Sequence, residues 1–309
     1  MSKNTTDREP SGILIINKSA GMTSHDVVGR VRRLYGIKRV GHTGTLDPMA
    51  TGVLVVLVGR AAKAAEYLVC DSKRYRAGLR LGLTTDTEDS TGTVLTKSDA
   101  PLPSCDEVVA ACKKFTGRIM QIPPMYSALK VGGKKLCDIA RAGGEIERKP
   151  RPIDIFALEC TPLDAEGEYS LEVHCSSGTY IRTLCADIGA SLGCGGIMSA
   201  LCRTEAGGFS LDRAYDLDAL AEKSPEELEA ILIDTEELFS TLPAVPLPSF
   251  FEKLCRSGCE IYLKKIGRSF AEGERLRLCD ADGKFFALGE VKSFPDGLAV
   301  KAIKTFDIK

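Results

Sequence analysis

The sequence predicts an α+β fold carrying a separate all-β tail, and three observations predict it. First, segments such as KRYRAGLRLG and YSLEVHC alternate apolar and polar side chains, as half-buried strands do. Second, between such segments lie stretches with helix-capping residues and apolar spacing near 3.6. Third, three prolines fall within residues 243–248, and beyond them come only short β-like segments separated by turns.

In chain order, Ile13 to Ile16 reads as a short strand. Thr23 or Ser24 can cap a helix whose apolar face is Val27, Val28, Val31 and Leu34 and which stops at Gly36. Val53 to Val58 is a continuous apolar run and reads as a buried strand, followed by a helix over AAKAAEYLV. In KRYRAGLRLG one face carries Tyr75, Ala77, Leu79 and Leu81, and the other carries Arg74, Arg76 and Arg80. Ser104 and Glu107 form a capping box for a helix expected to end near Gly117. YSLEVHC is a further strand, and GTYIRTLCADIGASLG opens a helix with Leu184, Ile188 and Leu192 on one side. After the prolines, EIYLKKI, RLRLCD, KFFALGEV and GLAVKAI are divided by DADG and PDG. The expected structure there is a small closed β-barrel, because closure removes exposed strand edges.

A chain of 309 residues allows one large or two ordinary domains. The formal net charge of −1 argues against a nucleic-acid partner only if charge is spread evenly, and it is not. Residues 113–151 hold ten Lys or Arg against three acids, and residues 30–39 add five cations and no acid. Residues 216–237 reverse this, with nine acids and one Lys. Basic segments in a neutral chain can form a local phosphate-binding face. Of the twelve cysteines none forms a C-x-x-C pair, and the polar start MSKNTTDREPSG lacks a signal-peptide core. The longest apolar run is too short to span a bilayer, so a cytoplasmic location with reduced thiols is expected, and no membrane partner. Cys175, Cys185, Cys194 and Cys202, with His174 nearby, have spacings that fit no structural zinc pattern, so no metal is expected.

Residues 41–52, GHTGTLDPMATG, place one imidazole, His42, and one carboxylate, Asp47, in a glycine-rich loop before the buried run VLVVLVG. Asp-Pro is a turn signal in its own right. The loop also belongs to a longer set of motifs. ILIINKSAGMTSHDVV, GHTGTLDPMATGVLVVLVGRAAK, KRYRAGLRLG, TDTEDSTG, PPMYSALKVGGKKLCDIARAGG and SSGTYIRTLCADIGASLGCGG…LCRTEAGGFS follow one another from about residue 11 to 213. In order and spacing they resemble the bacterial tRNA pseudouridine-55 synthases, the TruB family. The segment after residue 245 resembles, more loosely, the small RNA-binding PUA barrel that ends those proteins.

The resemblance implies a pseudouridine-synthase fold: a central mixed, largely antiparallel sheet with flanking helices. It implies isomerisation of one T-loop uridine of tRNA after base flipping, with no cofactor. Asp47 then matches the catalytic aspartate, and His42 the histidine that fills space near the flipped nucleotide. Tyr75 matches the tyrosine that packs on the target base, and Arg182 the arginine that pairs with the carboxylate, with Tyr180 beside it at the start of a helix. Leu201 matches an apolar pocket residue. Lys130 is the favoured phosphate contact, which spacing alone does not separate from Lys134 or Lys135. Three positions depart from the family pattern: Ser19, Gly196 and Cys202.

On this reading residues 1–242 form the catalytic domain, with a basic insertion at about 120–152 closing over RNA. Residues 245–309 form the PUA-like barrel. The partner is tRNA, through its T-arm and, at the barrel, its acceptor end, bound by a monomer without guide RNA. The alternative is a non-catalytic tRNA-binding or folding protein of the same fold. A guide-RNA-dependent enzyme shares the TLDP loop but not the form of the insertion. A nucleosidase would need a second catalytic carboxylate that the motifs do not offer.

Overall fold

The structure is a computed structural model that describes residues 9–67, 72–127 and 129–306, without the side chains of Lys130 and Lys135. The run TGVLVVLV forms strand β3, Thr51–Val58, between β1, Gly12–Lys18, and β2, Val40–His42. Its residues are apolar throughout because both its faces are covered. Val53, Val55 and Leu57 enter one hydrophobic cluster, and Leu54, Val56 and Val58 enter another. Helix α1, Ser24–Tyr35, covers the second face with Val27, Val28 and Val31. Thr23 caps it in a full capping box with Asp26, and Gly36 ends it in the left-handed conformation, as the sequence predicts.

Strand β4, Ser72–Leu81, buries Tyr75, Ala77, Leu79 and Leu81 as expected. Four more strands complete the core of the sheet: β5, Gly117–Gln121; β6, Arg151–Pro162; β7, Glu168–Ser176; and β8, Gly196–Ala206. The order is β1-β3-β8-β4-β7-β6-β5, with β2 and Phe209–Ser210 at its margins, nine strands in all. The β3–β8 pair is parallel and the other pairs are antiparallel, so the sheet is mixed and largely antiparallel. Helices α2, Cys105–Lys113, and α3, Ile181–Ser191, cover the Tyr75 face through Val108, Leu184 and Ile188. The opposite face of β4 shows why its arginines are not a free basic stripe. Arg74, Arg76 and Arg80 each face a cross-strand partner, Glu205, Glu172 and Glu168, at 3.4, 2.6 and 3.8 Å.

Three local expectations change. The segment after β3 is a single 3₁₀ stretch, Gly59–Ala64, not a helix over nine residues, and residues 68–69 of that expectation lie outside the described residues. Helix α2 stops at Lys113, because Gly117 already begins β5 with a φ of +99°. The tail is a curled five-stranded half-barrel, not a closed barrel. Its strands are β9, Ala244–Pro246; β10, Ile261–Tyr262; β11, Arg275–Cys279; β12, Phe285–Phe294; and β13, Gly297–Thr305. They run in the order β9-β11-β12-β13-β10, and the two end strands do not pair. They hold only three and two residues, too few to close a ladder. Helix α4, Ser249–Arg256, packs Phe251, Leu254 and Cys255 into the core of the half-barrel instead.

The prolines at 243–248 mark a change of architecture but not a break in the core. Phe285, Leu288 and Phe306 of the half-barrel share one cluster with Ile13, Ile15, Val53, Val55 and Leu57 of the sheet. The rings of Phe239, Phe285 and Phe306 lie 5.5–5.8 Å apart. Arg277 adds an ion pair to Glu236 at 2.7 Å and a hydrogen bond to the Leu242 carbonyl at 2.9 Å. Phe285→Ala is therefore expected to cost the whole molecule about 3–5 kcal/mol and to lower one common thermal transition. A calorimetric trace in which only a separate half-barrel transition moves would show the two parts to be independent.

Candidate active site

The loop between β2 and β3 is a turn and more than a turn. The Ala50 N–H donates to the Asp47 carbonyl at 3.0 Å, closing a β-turn with Pro48 in its second position. The turn leaves the Asp47 carboxylate free to face the sheet. Two fully buried cations hold the loop by its carbonyls. The Lys18 ammonium donates to the carbonyls of Ser19, Met22 and Pro48 at 3.0, 2.8 and 3.1 Å. The Arg203 guanidinium donates to Val53, Gly44 and Thr45 carbonyls at 2.8, 3.0 and 3.4 Å. Burial holds the Lys18 pKa below its usual value, and the nearby Asp47 charge offsets part of that fall. The Ser24 hydroxyl also brackets Leu46, accepting from its N–H at 2.9 Å and donating to its carbonyl at 3.2 Å. Gly52 closes the loop at φ +95°, where a Cβ would lie 2.3 Å from the Arg203 carbonyl oxygen, so no other residue fits.

Arg182 stands in the first turn of α3 and reaches Asp47 at 2.5 Å, Nη2 to Oδ2. Its Nη1 lies 3.8 Å from the carboxylate of Asp89, which is buried and accepts hydrogen bonds from Thr87, the Thr91 N–H and the Thr91 hydroxyl. Burial pushes the Asp47 carboxyl above its usual 3.8; the Arg182 guanidinium pulls it back, and the Asp89 charge pushes it up again. About a third of the Asp47 side chain remains exposed, against 8% of Arg182. The cation is thus fixed in the wall while the carboxylate faces the cavity. The neighbouring loop is held under strain: Glu88 sits at φ +62°, unusual for a residue with a side chain, and its carboxylate accepts from the Thr183 hydroxyl at 2.5 Å. Gln121, buried at the end of β5, pairs with both the N–H and the carbonyl of Tyr180 at 2.9 and 3.1 Å. That pair fixes where α3 begins.

Asp47, Tyr75, Tyr180, Arg182 and Leu201 all line one cavity of about 280 Å³. An apolar cavity of ~150 Å³ is enough for benzene, so this one has room for a single heterocycle and part of its substituent. Tyr75 and Arg203 are directly opposed across β4 and β8. Burial raises the Tyr75 pKa, and Arg203 lowers it in part. One residue singled out from sequence, His42, is not in the cavity wall. His42 ends β2 with its ring edge-on to His25, centroids 5.8 Å apart, and its Nδ1 is buried without a hydrogen-bond partner. Burial lowers its pKa, which favours the neutral ring. Lys130 lies in a two-residue strand paired with Lys134–Lys135, and its side chain is outside the described residues.

Sequence reasoning missed Lys18, Lys73, Asp89, Gln121, Ser127 and Arg203. Lys73 and Ser127 line the cavity, and the others hold its walls. A cation at the end of an apolar strand, as Lys18 is in ILIINK, was the available signal. The crowd of short polar side chains in TDTEDSTG was another. Among the described residues no group of three or more His, Cys, Asp and Glu converges as a metal site.

Comparison with known proteins adds to this geometry. The model described as TruB family pseudouridylate synthase, N-terminal domain, matches residues 32–181. The one described as tRNA pseudouridylate synthase B C-terminal domain matches residues 182–240. The chain is similar to tRNA pseudouridine synthase B of Syntrophotalea carbinolica, 46% identical over 235 residues, 76% of each chain. It is similar to tRNA pseudouridine synthase B of Clostridium perfringens, 40% identical over 281 residues, 91% of this chain and 95% of that one. Among solved structures, a Cbf5-Nop10-Gar1 complex superposes with a TM-score of 0.74 at 25% identity, covering 96% of this chain and 85% of that one. An H/ACA RNP bound to a substrate RNA containing 2'-deoxyuridine shares the fold at 20% identity, with a TM-score of 0.72, covering 99% of this chain and 93% of that one.

Arg182→Met tests the pairing. With the guanidinium gone, Asp47 keeps the burial that raises its pKa and loses the charge that lowers it. Its carboxyl is expected to titrate at a higher pH than in the unchanged protein, read by carboxyl carbon NMR. Because the folded pKa already exceeds the unfolded one, ionised Asp47 weakens folding, and acidification through the folded pKa relieves that penalty. The variant is expected to lose on the order of 3 kcal/mol near neutrality, and less as pH falls. An unmoved Asp47 titration would break the assignment.

Proposed function

The chain belongs to the TruB family of pseudouridylate synthases, and from that premise we propose that Asp47 is the carboxylate through which it converts a T-loop uridine of tRNA, position 55, to pseudouridine. The observation that carries the proposal is the meeting of Asp47, Arg182, Tyr75, Tyr180 and Leu201 at one cavity. The enzyme is an isomerase: the N1–C1′ bond breaks, a C5–C1′ bond forms, and the C5 proton is lost as N1 gains one. No redox change and no net addition of water accompany it. A uridine stacked in a folded loop does not reach such a cavity, so the base enters flipped.

Within the cavity Asp47 serves as nucleophile or base toward the nucleotide. Arg182 keeps the carboxylate oriented and favours its ionised form, and Asp89 behind it holds the guanidinium in the wall. The ring of Tyr75 packs on the base, with Tyr180 and Leu201 as further walls. His42 fills space near the flipped nucleotide, with its ring edge-on to His25. Affinity comes from elsewhere. The basic segment 120–152 closes over the T-arm, with Lys130 a phosphate contact, and the half-barrel of residues 245–309 reaches toward the acceptor end. The chain acts on tRNA, in keeping with the names of its 39–46% identical relatives, and it does so as a monomer in the cytoplasm and without guide RNA.

Asp47→Asn keeps the size of the side chain and removes its charge. Pseudouridine formation on a tRNA transcript, without added RNA or protein, is expected to fall by at least about a thousandfold, with tRNA affinity within a few-fold of the unchanged enzyme. The unchanged enzyme is expected to lose kcat as pH drops through an Asp47 pKa that lies above 3.8. Product from Asp47→Asn at a near-normal rate would reduce the loop to the turn it contains.

A further inference from the structure

We propose that Ser127 is a further substrate-contacting residue, whose hydroxyl hydrogen-bonds the polar edge of the flipped uracil. This rests on the reading of the cavity as the pocket for a flipped uridine, and it assigns a role to a residue that the reading leaves unused. Ser127 lines the cavity and is 5% exposed, yet its Oγ has no hydrogen-bond partner. Buried hydroxyls almost always find one. The Ser127 backbone is itself held in place, its carbonyl accepting from the Cys137 N–H at 3.0 Å. Thr179 is the other cavity residue whose hydroxyl lacks a nitrogen or oxygen partner, but it lies against the Cys175 thiol.

The chemistry of the base supplies the missing partner. Uracil carries two carbonyls and an imide N–H, and each loses its water when the base leaves solvent. The charged end of the cavity, Asp47 with Arg182, suits the sugar and the bond to be broken. The remaining wall mixes the apolar side chains of Leu46, Ile181 and Leu201 with polar ones, among them Thr45, Lys73, Ser127 and Thr179. A serine hydroxyl both donates and accepts, so it can meet a carbonyl or the imide. It cannot by itself tell uracil from cytosine, and no such discrimination is assigned to it.

The inference separates a binding role from a structural one by sign. A structural serine would lose a protein hydrogen bond on mutation and the fold would weaken. Here there is none to lose, so Ser127→Ala is expected to leave Tm unchanged or raise it. Its kcat/KM on a T-arm hairpin is expected to fall roughly tenfold, with Ser127→Thr recovering most of the loss. Hairpins carrying 2-thiouridine, 4-thiouridine or N3-methyluridine at the target locate the contact. For one of them the penalty seen with the unchanged enzyme should largely disappear in Ser127→Ala. A Ser127→Ala enzyme within twofold of the unchanged one overturns the proposal. So does a slower variant with lowered Tm whose penalties on all three hairpins match those of the unchanged enzyme. Failure of the unchanged enzyme to modify the plain hairpin would instead overturn the functional reading on which the proposal stands.

Discussion

Asp47 and Arg182 are 135 residues apart in the chain and meet at 2.5 Å. Much of the architecture around the cavity serves that meeting. One partner comes from a loop between β2 and β3, and the other from the first turn of α3, which packs on β8. The parallel β3–β8 pairing brings the two regions side by side, with Thr51 and Gly52 in register with Cys202 and Arg203. A shift of one residue there would turn Arg203 from the loop to the opposite face. The register of two strands is therefore also the alignment of the carboxylate.

The second constraint is electrostatic. Lys18, Arg182 and Arg203 are buried, while Asp89 is buried and Asp47 half-buried. Lys18 and Arg203 donate their hydrogen bonds to carbonyls rather than to carboxylates. Carbonyls satisfy their N–H groups without cancelling their charge, so both cations still act on their surroundings. A buried carboxylate in neutral surroundings would take up a proton. Here it lies among fixed positive charges that cannot move away when a substrate excludes water. The like charge of Asp89 limits the effect, and the balance leaves Asp47 somewhat easier to protonate than an exposed aspartate.

Legibility in the sequence followed the range of each interaction. Thr23, Asp26 and Gly36 declared helix α1 because capping is settled within a few residues. The unbroken apolar run of β3 declared that both its faces are covered, but not by what: Phe285 and Phe306 lie more than two hundred residues away. Asp47 and Arg182 were legible through motifs rather than through physics alone, since an Asp-Pro turn is ordinary and arginines are usually exposed. Asp89 was not, because a polar loop does not announce which carboxylate folds inward. His42 was legible through the same motif, and its ring packs edge-on against His25 outside the cavity lining. The expected barrel failed to close because alternation identifies strands but carries no information on whether the first and last of them pair.

The aromatic cluster of Phe239, Phe285 and Phe306 has a consequence for synthesis. Proteins emerge from the ribosome with the N-terminus first, at about 5–20 residues per second. The segments that carry Asp47 and Arg182 and the seven central strands have emerged once residue 206 is out, but the face of β1 and β3 still lacks Phe285 and Phe306. That apolar surface waits for the last few dozen residues. A nascent chain therefore holds all the residues of the cavity before it holds a finished core, and a chain released early carries an exposed patch that a chaperone or protease can recognise. Joining the two parts through one core makes the half-barrel part of what finishes the face of β1 and β3.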